Sequence, residues 1–383
     1  MRSKSDKKKS LVPRLRFPEF REAGAWEVKR LGDVCVIRTG KKDANEGHEN
    51  GIYPFFTCAE NHIYSNSHSF DCEAILVAGN ANVGQTKHYR GKFEAYQRTY
   101  VLTDFSDINT QYLYSYLGGN LQNDMALQVQ TSAMSYIKLP MLKNYKVPAP
   151  RNPTEQQKIA HCLSSLDEVI GLQAKKVQAL KQHKKGLMQQ LFPAEGETTP
   201  RLRFPEFREA GAWEVKRLGE VCDVLDNLRK PVARTKRNPG PYPYYGASGA
   251  IDYIDQYIFD ERLLLIGEDG AKWLPYEKTA FIVEGQYWVN NHAHVLRPTL
   301  AIDTLLENYL TALDISQHIT GAAPPKLTLD NLRLIWVPLP PKRDEQQKIA
   351  HCLSSLDEVI GLESHKLDAL KNLKKGLMQQ LFP

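Results

Sequence analysis

The chain has 383 residues, 42% hydrophobic and 25% charged, which excludes a disordered or fibrous polymer and suits two domains of ordinary size better than one core. No run of about 18 apolar residues occurs, and the basic start MRSKSDKKKS has no apolar stretch behind it, so a cytoplasmic protein with a loose basic tail at 1–12 is expected. The net charge of +6 leans towards an acidic partner such as nucleic acid.

In chain order the first feature is PRLRFPEFREAGAWEVKRLG at 13–32, which recurs intact at 200–219. Residues 36–154 follow, a region that shares little with its counterpart at 223–344 beyond patches such as IYPFF against PYPYY. AILVAGNANVGQTKHY and QRTYVLT in the first region, and RLLLIGEDG, TAFIVEG and YWVNNHAHVL in the second, read as strands bounded by Gly, Asn and Asp. TQYLYSYLGGNLQ and DTLLENYLTALD have the 3–4 spacing of helices. The architecture is therefore shared frame, private insert, shared frame, private insert, in a mixed α/β (α+β) fold. A period near 190 residues indicates duplicated domains rather than stacked short repeats.

Residues 155–193 recur at 345–383 with 32 of 39 positions identical, including EQQKIAHCLSSLDEVIGL unchanged. In the first copy Ile159, Leu163, Leu166, Ile170, Gln173, Val177, Leu180, Lys184, Leu187 and Leu191 step by four and three without a slip. The second repeats the register with Ile349, Leu353, Leu356, Ile360, Glu363, Leu367, Leu370, Lys374, Leu377 and Leu381. This is a coiled-coil seam, with Thr154 or Asp344 as N-cap and Phe-Pro as the stop. The connection FPAEGETTP is shorter than the helix it would retrace, so an antiparallel pair with one private region at each end is expected. Two amphipathic helices lying on separate cores are the alternative. The expected boundaries are 1–154, 155–193, 194–344 and 345–383.

The six cysteines fall in no zinc or redox spacing. Cys35 repeats as Cys222 and Cys162 as Cys352, each amid apolar neighbours, which fits small buried hydrophobes. GNANVGQT at 79–86 has the glycine spacing of a phosphate loop, but Gln85 stands where the lysine would be, so a strand-ending turn is expected. His292 and His294 lie two apart with no carboxylate or cysteine nearby in sequence, so they are not expected to hold a metal. No catalytic motif is apparent.

If nucleic acid is the partner, the readers are polar and basic residues of the private inserts, because Asn and Gln pair with adenine, Arg and Lys with guanine, and other cations hold phosphates. In the first insert these are Lys41, Lys42, Asn80, Asn82, Gln85, Lys87, His88, Arg90, Gln97 and Arg98. In the second they are Arg229, Lys230, Arg234, Lys236, Arg237, Lys272, Asn290, Asn291, His292 and Lys326, with LRKPVARTKR at 228–237 the densest cluster.

This layout resembles the DNA-specificity subunit of Type I restriction-modification enzymes over nearly the whole chain. The resemblance rests on WEVKRLGDVC and WEVKRLGEVC opening the halves, YPYYGASG, GEDGA, WVNNHAHVLRP, and VPLPPKRDEQQKIAHCLSSLD leading into the second helix. It implies two target-recognition domains separated by two helices, each reading one half of a split, asymmetric site on double-stranded DNA. It also implies a non-catalytic chain that binds no cofactor and docks two methyltransferase subunits, with restriction subunits joining them. S-adenosylmethionine, ATP and Mg would belong to those partners. A non-DNA coiled-coil adaptor recruiting two proteins and an endonuclease with a cryptic site are the rival readings.

Overall fold

Each heptad segment folds as one helix, Pro153–Leu191 and Arg343–Leu381, in a computed structural model that describes residues 11–129, 136–322 and 324–383. At 39 residues each helix is about 58 Å long. The first helix is capped by Asn152, whose Oδ1 accepts the Thr154 N–H at 2.9 Å, two places earlier than expected. Asp344 lies inside the first turn of the second, where its charge suits the helix dipole.

The chain divides into two compact units, Met1–Ala174 with His365–Pro383, and Lys175–Ser364, so each long helix contributes one stretch to each unit. In the second unit Lys184 Nζ lies 2.7 Å from Asp357 Oδ1 and Lys176 Nζ 2.6 Å from Glu363 Oε1. Falling numbers on one helix meet rising numbers on the other, so the two stretches run antiparallel. The corresponding pair in the first unit is Lys374 with Asp167, 2.5 Å apart.

The seam positions do two jobs. Ile159 and Leu163 sink into the core of the first unit, and Ile349 and Leu353 into that of the second, so the ends of the helices are core elements. Leu166, Ile170, Leu180, Leu187, Leu356, Ile360, Leu367, Leu370 and Leu377 are half-buried, and Val177 is buried. Both sequence alternatives are thus partly right: a helix pair in the middle stretches, core packing at the ends.

In the first unit β1 (Glu27–Arg30) pairs with β8 (Lys146–Ala149). A six-stranded sheet has the order β2 (Val36–Thr39), β7 (Thr99–Thr103), β5 (Phe70–Ala78), β6 (Thr86–Ala95), β3 (Tyr53–Phe56), β4 (Ile63–Ser65). The buried face of helix Thr110–Val129 packs on it through Tyr112, Leu113, Leu117 and Leu121. In the second unit β9 (Glu214–Arg217) pairs with Trp336–Leu339. Two four-stranded sheets follow. One orders β10 (Cys222–Val224), β17 (Ala293–Pro298), β14 (Leu263–Gly267) and β15 (Ala280–Val283). The other orders β12 (Gly249–Ile254), β11 (Pro239–Gly246), β16 (Gln286–Val289) and β13 (Phe259–Asp260), and helix Asp303–Ala312 packs beside the first.

The shared frame is locked by a buried charge pair. Arg16 holds Glu155 through two parallel bonds of 2.7 and 2.8 Å, and Trp26 Nε1 donates to the same carboxylate at 3.2 Å. Arg203, Glu345 and Trp213 repeat the arrangement at 2.7, 2.7 and 3.3 Å. The paired carboxylate raises the pKa of each arginine further. The next residue of the repeated EQQ does separate work: Gln156 accepts from the Asn109 N–H and donates to Pro150 O, while Gln346 accepts from the Ile302 N–H and donates to Pro340 O. Burial pushes the Cys35 and Cys222 thiols up to about 12, in line with their reading as small hydrophobes; Cys162 and Cys352 are only half-buried.

Removing one member of a buried, bidentate pair strands its partner, so Glu155→Ala or Glu345→Ala should each lower stability by about 3–5 kcal/mol. Denaturant unfolding of the full chain measures this, and exposed Glu22→Ala should change it little.

Candidate nucleic-acid interface

Three loops meet at one edge of each unit. In the first they are Thr57–Asn61 after β3, Gly79–Gln85 between β5 and β6, and Tyr96–Arg98 between β6 and β7. Backbone bonds tie them: Tyr96 N–H to Phe56 O at 3.0 Å and Gly79 N–H to Arg98 O at 2.9 Å. A Cβ at position 79 would stand 2.4 Å from Arg98 O, so a side chain there would force these two loops to shift. GNANVGQT is the turn expected, closed by Gln85 N–H to Asn82 O at 2.9 Å and with Gly84 at φ 80°.

The candidate residues of the first insert divide by what they already hold. Asn82 Nδ2 donates to Cys58 O, Lys87 Nζ to Ala59 O, and Gln97 Nε2 to Asp43, all at the loop cluster. Lys42 Nζ is occupied by Ser65 and Ser67, and His88 faces Glu73 at 2.9 Å. Desolvation lowers the pKa of Lys87. Asn80 and Arg98 lie on the touching loops with no side-chain partner among the described residues, Arg98 exposed and Asn80 half-buried. Lys41 and Arg90 are exposed, and the Gln85 Oε1 atom is buried without a hydrogen bond.

In the second unit the corresponding loops are Gly246–Gly249, Gly267–Ala271 and Asn290–His292. Asn290 N–H donates to Tyr245 O at 3.1 Å and Glu268 N–H to His292 O at 2.9 Å, the same two ties. The segment at 226–230 and residues 326–327 join them, so the fold brings together Arg229, Lys230, Asn290, Asn291, His292 and Lys326 of the candidate set. Asn290 is buried and its Oδ1 accepts the His292 N–H at 2.7 Å, while Asn291 and Lys230 are exposed.

The basic stretch 228–237 does not act as one patch. Arg229 spends its guanidinium on Asp226 (3.0 Å), Glu268 (2.7 Å) and Ala293 O (2.8 Å). Arg237 stacks over Tyr244 at 4.2 Å and pairs with Asp252, holding that carboxyl below its usual range. Lys230, Arg234 and Lys236 remain exposed, as does Lys272 beside Glu277.

The two histidines are corrected in one respect: carboxylates absent from their sequence neighbourhood are supplied by the fold. His292 Nδ1 lies 2.5 Å from Asp269 Oδ1, and His294 Nδ1 lies 2.5 Å from Asp226 Oδ2, with His294 Nε2 facing Leu327 O at 2.7 Å. Asp226, Glu268 and His294 form the one metal-like cluster among the described residues. The Arg229 guanidinium bridges its two carboxylates and Lys326 lies 3.5 Å from Glu268, so the compensating charge is already present and the cluster is an ion-pair network. Sequence reasoning missed Asp226, Glu268 and Asp269; GEDGA was the only signal.

Comparison with known proteins places this geometry. The family described as Type I restriction modification DNA specificity domain matches residues 24–182 and again 211–372, and the chain belongs to it. A Type I restriction enzyme EcoDI specificity subunit of Escherichia coli is 33% identical over 230 residues, 54% of this chain and 51% of that protein. The Type I restriction enzyme MjaVIII specificity subunit of Methanocaldococcus jannaschii is 29% identical over 409 aligned positions, 96% of this chain and 93% of that one. The chain thus spans about half the length of the first relative and nearly all of the second. A crystal structure of the Type-I restriction-modification system S subunit from M. genitalium shares the fold, with a TM-score of 0.69 at 17% identity over 97% of this chain and 99% of that one.

Arg229→Met should lower stability by roughly 3 kcal/mol, because it leaves the Asp226 and Glu268 carboxylates facing each other. Adding Glu268→Met should recover part of that loss. Urea unfolding of both variants followed by tryptophan fluorescence checks the sign of the coupling.

Proposed function

We propose that this chain is the DNA-specificity subunit of a Type I restriction-modification complex, working in the cytoplasm, in which each unit reads one half of a split, asymmetric site on double-stranded DNA. One observation carries the reading: two units with nearly identical frames gather sequence-private loops at the same edge. Identical frames present the same surface twice, hence two copies of one partner. Different loops present different surfaces, hence two unlike half-sites. The chain contributes recognition; methylation and cleavage, with their S-adenosylmethionine, ATP and Mg, fall to methyltransferase and restriction subunits.

The frame also leaves apolar side chains uncovered at duplicated places. Leu172 is 60% exposed beside Val169 in the first unit, and Leu362 is 70% exposed beside Val359 in the second. Leu373 is also exposed, at 54%, but has His183 as its counterpart in the first helix, so the duplicated pairs are the docking points for the methyltransferase subunits. No helix among the described residues is long and apolar enough to cross a membrane.

The test is duplex binding by the chain together with its methyltransferase subunits. Affinity should fall linearly with the logarithm of salt concentration, and Arg234→Ala with Lys236→Ala should reduce the slope by about 1–2. Salt-independent binding, or none, would favour the adaptor reading instead. Leu172→Glu or Leu362→Glu should each release one methyltransferase copy, turning a two-to-one complex into one-to-one by light scattering; a two-to-one complex in both variants would remove these leucines from the interface.

A further inference from the structure

Strand register fixes which residues correspond in the two units. In the first, Val77 pairs with Tyr100 and Ala78 with Thr99; in the second, Ile266 pairs with His294 and Gly267 with Ala293. One step further, Gly79 N–H meets Arg98 O at 2.9 Å and Glu268 N–H meets His292 O at 2.9 Å. Arg98 therefore corresponds to His292, and Asn80 to Asp269. The backbones beneath these four side chains are tied alike, so the side chains themselves are the difference.

From this correspondence we infer that the pairs Asn80 with Arg98 and Asp269 with His292 decide which base each unit accepts at one equivalent position of its half-site. The inference rests on the reading of the units as DNA readers and names the residues and base chemistry within it.

The two pairs make opposite demands. Arg98 is exposed and its guanidinium has no partner among the described residues, so its fork of donors is available for the O6 and N7 acceptors of guanine. Asn80 beside it adds another donor. In the second unit Asp269 only accepts, its Oδ1 standing 2.5 Å from His292 Nδ1 and its Oδ2 3.3 Å from Lys326 Nζ. The former contact has His292 Nδ1 donating to the carboxylate, on a side chain 49% exposed whose Nε2 has no partner among the described residues. The carboxylate meets guanine's O6 and N7 unfavourably, acceptor against acceptor. It suits the amino groups of cytosine N4 or adenine N6. The first unit is therefore set for guanine at this position, and the second for an amino-bearing base with guanine rejected.

The experiment exchanges the pairs in the full chain bound to its methyltransferase subunits and selects bound duplexes from a random pool for sequencing. Asn80→Asp with Arg98→His should cost guanine its enrichment at one position of one half-site, by about tenfold or more, in favour of cytosine or adenine. The other half-site should be unchanged and serves as the internal reference. Asp269→Asn with His292→Arg should introduce guanine at the equivalent position of the second half-site. Should an exchange abolish binding, Arg98→Lys decides: it keeps the charge without the fork and should retain the same guanine at weaker enrichment, whereas undiminished enrichment overturns the assignment. Specific binding with unaltered letters in both exchanges overturns the inference and leaves the DNA-reading function standing. Absence of any preferred sequence in the unsubstituted complex overturns both.

Discussion

A carboxylate buried in the first turn of each long helix, gripped by an arginine more than a hundred residues away in sequence, is the contact on which the rest of each unit is hung. Glu155 with Arg16, and Glu345 with Arg203, join the opening frame to the start of the helix, and the Trp26 and Trp213 indoles seal the site by donating to the same oxygens. A charge this deep is tolerable because its partner is bidentate and an indole N–H engages a further lone pair. Gln156 and Gln346 then tether the private insert to the same turn. Frame, helix and insert therefore converge on two consecutive residues, which accounts for Glu-Gln at the head of the block in both copies.

That arrangement separates what must stay constant from what can vary. The loops at the edge of each unit are held by main-chain hydrogen bonds, which any non-proline residue supplies. Side chains on those loops can change without disturbing the scaffold. The second unit adds the network of Asp226, Arg229, Glu268, His294 and Lys326, which braces 226–230 and the start of the 12-residue connection 268–279, where the first unit has the seven-residue turn 79–85. Different loop lengths are thus reconciled with the same two backbone ties.

The long helices were legible because a heptad repeats locally and needs no knowledge of the fold. Duplication was legible for a simpler reason, since identical strings declare themselves. The clamp was not: Arg16, Trp26 and Glu155 each look like an ordinary residue until a fold brings them within 3.2 Å. Carboxylate partners of the histidines were missed on the same ground, Asp226 being 68 residues from His294. Reading LRKPVARTKR as one basic patch failed at Arg229 and Arg237, because charge in sequence says nothing about which cations the fold neutralises. Seam positions near the helix ends serve domain cores because an apolar stripe does not reveal whether a helix or a sheet will cover it.

The junction between frame and helix end is built alike in the two units: Leu202 N–H donates to Gln190 O in the second, and Leu15 N–H donates to Gln380 O in the first. The former pair lies 12 residues apart in sequence and the latter 365 apart. The same joint therefore forms without a short peptide across it, so a unit can draw its frame and its helix end from neighbouring or from distant parts of the polypeptide.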